Sequence, residues 1–158
     1  MKQFNYDSYC GNYCGACEIM SAYKNNTQNE IAPQWGASPE EIKCFGCKTE
    51  TVYKNCSICK IRKCAIERGT EHCVVCKDFP CEILTSGESL VEQLPHLKEI
   101  PLNMQTIKEK GTEYWLTEQK RKWQCPNCGE PFSWYKEKCS GCGRDLSQDK
   151  DYLKIKDP

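Results

Sequence analysis

The chain has 158 residues, with 22 basic and 22 acidic side chains, 15 cysteines and a mean hydropathy of −0.73. Zero net charge excludes the whole-protein field that draws a chain to nucleic acid or anionic lipid. Thin aliphatic content beside so much cysteine excludes an ordinary apolar core as the sole source of stability and points to cross-links, by disulfide or by metal.

The opening stretch MKQFNYDSYC holds no apolar signal segment, and no run approaches the ~18 apolar residues of a membrane span. The expectation is a cytoplasmic protein with no membrane association. In that reducing compartment clustered cysteines read as metal ligands, and an odd count also sits badly with complete disulfide pairing. Eleven cysteines fall between Cys10 and Cys81, four between Cys125 and Cys142, and none from Glu82 to Gln124. The expected organisation is a cysteine-rich metal-binding module (1–84), a helical connector (85–123), a zinc ribbon (124–146) and a polar tail (147–158).

Cys10, Cys14 and Cys17 open the chain with the spacing C-x3-C-x2-C. Radical enzymes that use S-adenosylmethionine hold their cluster on this spacing, but no alternating strand–helix series follows to build the barrel their chemistry needs. The triad therefore reads as a staple awaiting a fourth ligand from downstream. Glu18 to about Asn26 predicts a short helix. Ser38-Pro39-Glu40-Glu41 is a helix start, with a capping Ser, Pro at the first position and acids in the first turn. It must be brief, because Cys44-Phe-Gly-Cys47 follows.

Cys56, Cys59 and Cys64, then Cys73, Cys76 and Cys81, repeat C-x2-C-x4-C at an interval of 17 residues. The repeat predicts equivalent ligands from each half. Ser57 to Arg68 has helical composition, with Arg62, Lys63 and Arg68 at its negative end and Gly69 as its stop. His72 is a further candidate ligand beside Cys73. Eleven thiols plus His72 would fill three four-coordinate sites, and two sites with three free thiols are equally consistent.

In the connector Pro95 and Pro101 flank a short polar segment. From Asn103, a candidate cap, the residues Met104, Ile107, Gly111, Tyr114 and Trp115 keep one face largely apolar at helical spacing. Gly111 weakens an unbroken helix by roughly 1 kcal/mol relative to Ala. Tyr114 and Trp115 are expected to pack against a cysteine module.

Cys125-Pro-Asn-Cys128-Gly and Cys139-Ser-Gly-Cys142-Gly are two C-x2-C-G knuckles, with ten residues between Cys128 and Cys139. Each places two thiolates on one turn, and the following Gly permits the positive φ that aims backbone N–H groups at sulfur. Four protein ligands close a tetrahedral zinc site, so this one reads as structural. PFSWYKEK between the knuckles can form a β hairpin. Lys120-Arg121-Lys122-Trp123 with Trp134, Tyr135, Lys136 and Lys138 interleaves bases and aromatics as single-strand nucleic-acid binders do, although a solvated face over core aromatics explains the same residues. In the first module zinc is weighed against iron–sulfur clusters, since both accept four thiolates. Cys64 and Cys81 are the candidates for a reactive thiol, Cys64 because Lys60, Arg62 and Lys63 favour its thiolate. No base is tied to either.

CGNYCGAC, CFGC, CSICKIRKCA with Gly69, CVVCKDFPCE and EKGTEYWLTEQKRKWQCPNCG together resemble a cysteine-rich family of bacterial and archaeal proteins, frequent in anaerobes and known chiefly as a domain of unknown function. The likeness runs from about Tyr9 to Arg144. It implies a small cytoplasmic protein whose cysteines at those positions are metal ligands, mostly of zinc, with His72 outside the pattern. It brings no activity. The fold expected is a small metal-stabilised α+β protein, with short helices and irregular loops around Cys–metal sites, then the helical connector and the β zinc ribbon. The function expected is a non-enzymatic zinc protein that serves a macromolecular partner, nucleic acid included. The alternatives are an iron–sulfur electron carrier or redox sensor and a thiol-dependent enzyme.

Overall fold

Short helices dominate, separated by turns and extended residues at which many of the cysteines lie. The computed structural model describes residues 3–156. Helix α1 (Glu18–Asn25) starts at extended Cys17, has Glu18 in its first turn and Lys24 in its last, and ends on Asn26 in the left-handed conformation (φ 58°). It buries Ile19, Met20 and Ala22. With α2 (Gln28–Ile31), these side chains form a small core that also takes in Ala32, Ile42, Cys44 and Tyr53. The start predicted at Ser38 is present as a single 3-10 turn, Pro39–Glu41, where the Ser38 N–H donates to the Glu41 carboxylate at 2.7 Å.

The helix predicted over Ser57–Arg68 is two pieces. Helix α3 (Lys54–Ser57) ends at Ile58, Cys59 is extended, and α4 (Lys60–Arg68) runs on to Gly69 in the left-handed region (φ 61°). A 3-10 turn at Cys73–Val75 and α5 (Glu82–Thr85), preceded by extended Cys81, complete the cysteine-rich part.

Helix α6 (Ile100–Lys110) starts three residues before Asn103, with Pro101 in its first turn. Gly111 (φ 86°) then separates it from α7 (Thr112–Lys122). Asn103 is therefore no cap. Its buried amide donates to the carbonyl of Gly11 at 2.8 Å and accepts from Gln119 at 3.1 Å, while Gln119 in turn accepts from the Trp123 indole N–H at 3.2 Å. This buried relay joins the first cysteine loop, both connector helices and the entry to the ribbon. Trp115 packs inside as expected, but Tyr114 is exposed under the Lys110 ammonium.

The larger core unites Tyr13, Ala16, Met104, Ile107, Trp115, Trp123, Phe132, Trp134 and Leu146. Tyr152 of the polar tail joins it, its hydroxyl donating to the Trp134 carbonyl at 2.6 Å. The expected β hairpin is corrected: among the described residues the ribbon has only isolated antiparallel bridges, Gln124 with Pro131 and Lys138 with Asp145. The cause lies in the intervening segment. The Trp134 N–H donates to the Ala16 carbonyl at 3.1 Å, the Lys136 N–H closes a turn onto Ser133 at 3.1 Å and the Phe132 N–H reaches Trp123 at 3.0 Å, so PFSWYKEK folds as turns and outside contacts and not as two paired strands. Among the described residues no helix is long and apolar enough to cross a membrane.

Candidate metal centres

The two terminal knuckles repeat one geometry. In the first, the Cys125 N–H donates to Glu130 at 2.9 Å and the Gly129 N–H to Cys125 at 2.8 Å; in the second, Cys139 donates to Arg144 and Gly143 to Cys139, both at 2.9 Å. Gly129 (φ 78°) and Gly143 (φ 75°) take the positive φ that the sequence called for. The sulfurs of Cys125, Cys128, Cys139 and Cys142 lie within 4.8 Å of one another. Cys125 and Cys142 are 3.7 Å apart, and Cys128 and Cys139 are 3.4 Å apart. Bonds of about 2.3 Å set the sulfurs of a tetrahedral zinc about 3.8 Å from each other, so this quartet can hold a single metal ion.

Its electrostatics agree. The Asn127 side chain and the Arg144 N–H pull Cys142 down to about 6, and the Cys142 and Gly141 amides lower Cys139. At Cys128 the Glu130 amide favours the thiolate, but the adjoining Cys139, Cys142 and Cys125 outweigh it and push the group up to about 12. Four thiols this close ionise together only around a cation.

The eleven upstream cysteines, all free, are distributed differently. Cys14 neighbours Cys47, Cys17 and Cys44, and Cys56 neighbours Cys17, Cys44, Cys59 and Cys10. Cys47 faces Cys10, Cys56 and Cys59, while Cys73 faces Cys10, Cys81, Cys64 and Cys76. Seven thiols thus form a continuous field, and Cys64, Cys73, Cys76 and Cys81 gather beside it. The sequence repeat does not divide this way: Cys56 and Cys59 join the field, and Cys64 joins the second copy. Burial first, and then the charges of neighbouring thiols, push Cys17 to about 11 and Cys47, Cys56 and Cys73 to about 12. Among the described residues, only the terminal quartet brings three or more ligand atoms within 4.8 Å of one another.

His72 is buried, and its Nε2 lies 2.9 and 3.1 Å from the two Asp7 oxygens and 3.2 Å from the Lys48 ammonium. Lys48 also pairs with Asp7 at 2.6 Å. Burial alone would raise Asp7, yet His72 and Lys48 hold it below its ordinary value. Asp7 and Lys48 escaped the sequence reading. Their one local signal is adjacency, since Lys48 follows Cys47 as His72 precedes Cys73. The cluster fastens three thiol-bearing segments to each other.

The tryptophans of the basic and aromatic stretch are committed inward, while Lys120, Arg121, Lys136 and Lys138 stay exposed. Trp123 and Trp134 are core residues, Arg121 pairs with Glu118 at 2.7 Å, and Lys122 pairs with buried Glu99 at 2.7 Å and Asp151 at 3.4 Å. His96, also missed in the sequence, stacks on Trp134 at 3.6 Å between ring centroids, and its Nδ1 hydrogen-bonds the Tyr135 hydroxyl at 2.5 Å. Burial depresses His96 from 6.5 to about 3. The unfolded chain therefore takes up its proton first, and the stability tied to neutral His96 is complete above pH 6.5 and lost as pH falls toward 3. By pH 5 the expected loss is on the order of 2 kcal/mol. Chemical denaturation between pH 7 and 5 should show a shallower decline for His96→Phe than for the wild type; parallel declines would refute the effect.

No curated protein and no solved structure matches the chain. The family described as "Protein of unknown function (DUF3795)" matches residues 6–86, just over half of the chain. The match covers all eleven upstream cysteines and stops short of α6, α7 and the terminal quartet. The chain belongs to this family of unknown function, and beyond the matched segment it carries a helical pair and a four-cysteine cluster that can hold a metal ion.

Proposed function

We propose that this is a non-enzymatic metal-binding protein of the cytoplasm, in which zinc at Cys125, Cys128, Cys139 and Cys142 is structural and the upstream thiols bind further metal. The observation that carries the reading is the closed terminal quartet, whose four sulfurs leave no position for a substrate. The metal-built scaffold presents its surface to a macromolecular partner. Ile58 and Val75, both more than 60 % exposed on thiol-bearing segments, favour a protein over nucleic acid, whose bases would need the rings now in the core.

Native mass spectrometry of the full chain tests the metal reading. One zinc that disappears in Cys128→Ser, together with additional metal that remains, is the expected result. A chain isolated without metal, yet with its full helical circular dichroism, would overturn it.

A further inference from the structure

The geometry points to a polynuclear iron–sulfur cluster, not a single zinc ion, at Cys64, Cys73, Cys76 and Cys81. The inference rests on the reading that the upstream thiols bind metal and assigns one of those sites its class of cofactor. These four cysteines line one cavity of about 60 Å³ together with Arg68 and Phe79. They reach it from three elements: Cys64 from within α4, Cys73 and Cys76 from the 3-10 turn and its end, and Cys81 from the residue before α5.

Size separates the two cofactors. A lone tetrahedral ion draws its sulfurs to about 3.8 Å, as the terminal knuckles nearly do without help. No three of these four sulfurs lie within 4.8 Å of one another, although all four line the same cavity. Thiolates that each cap a different iron of a cluster stand farther apart than ligands of one ion, and the cluster body fills the space between them. A void of about 60 Å³ is several times the roughly 10–15 Å³ that one water needs, which is room that a single ion does not require.

The surroundings suit an anionic cluster. Arg68 lies one turn beyond Cys64 on α4, beside that thiol, and its guanidinium reaches to 3.9 Å from the Cys76 sulfur while pairing with Asp78. A donor of this kind tunes a cluster's potential. Four cysteines cap all the irons of a four-iron cluster and leave none open to substrate, so the site transfers electrons or supports structure.

Reconstitution of the full chain with ferrous iron and sulfide under anaerobic conditions, followed by native mass spectrometry and visible spectroscopy, tests the assignment. Broad visible absorption with about four iron and four sulfide per cluster, lost in Cys73→Ser and retained in Cys128→Ser, supports it. Zinc or one iron without sulfide at this site overturns it, as does a chromophore that survives Cys73→Ser. If Cys73→Ser does not fold, Arg68→Gln decides: a lowered reduction potential supports the assignment and an unchanged one refutes it. A chain that takes up no metal in either half would defeat the proposed function as well, whereas zinc in the cavity would leave that function standing.

Discussion

Gly46→Ala is expected to cost about 4 kcal/mol of stability, or about 10 °C in melting temperature, the range in which backbone strain and a steric clash act together. Gly46 has φ +122°, and a β-carbon there would stand 1.9 Å from the Asn5 carbonyl oxygen and 3.2 Å from the Met20 methyl. The Asn5 oxygen has little freedom to retreat, because the Asn5 N–H donates to Phe45 at 2.7 Å and the Phe45 N–H to Thr51 at 2.9 Å. The substituted turn must part from the amino-terminal segment, taking with it Cys44 and Cys47 and the Gly46 N–H that donates to the Cys44 sulfur at 3.4 Å. Thermal melts and metal content, measured together, check this. Wild-type values for both would show that the turn has another way to close.

Stripping the terminal quartet with a strong chelator is expected to have the larger effect. Structural zinc contributes roughly 10–16 kcal/mol of apparent binding energy in small zinc-dependent peptides, and that energy is folding energy. Cys125 and Cys139 belong to the same buried cluster as Trp123, Phe132, Trp134, Leu146 and Tyr152. Loss of the ion should therefore red-shift tryptophan emission and erase near-UV circular dichroism, and added zinc should restore both. The small core around Ile19, Met20 and Ile42 contains no terminal cysteine, so part of the far-UV signal should persist. Unchanged tryptophan emission after complete metal removal would show that apolar packing alone holds the ribbon.

The sequence made legible whatever depends on neighbours along the chain. The knuckle glycines, the Ser38–Glu41 start, the stop at Gly69 and the weak point at Gly111 are each set by one or two residues, and each is present. The sharing of eleven thiols was not legible, because it depends on which segments meet in space. Cys64 leaves Cys56 and Cys59 once the chain breaks at Ile58, a break that helical composition alone does not reveal. The β hairpin is absent from the described residues for a related reason, since the Trp134 amide is taken by Ala16, a residue distant in sequence, and Lys136 turns back onto Ser133. Buried polar groups were the hardest to foresee. Asp7, His96 and Gln119 look like surface residues until their partners are known.

The relay from Gly11 through Asn103 and Gln119 to Trp123 bears on how the protein is made in a cell. CGNYCGAC is synthesised well before the helices that brace it, so its thiols leave the ribosome ahead of their buried setting. A chain cut short before Asn103 lacks the donor to the Gly11 carbonyl, and its first cysteine loop loses the bond that ties it to the connector.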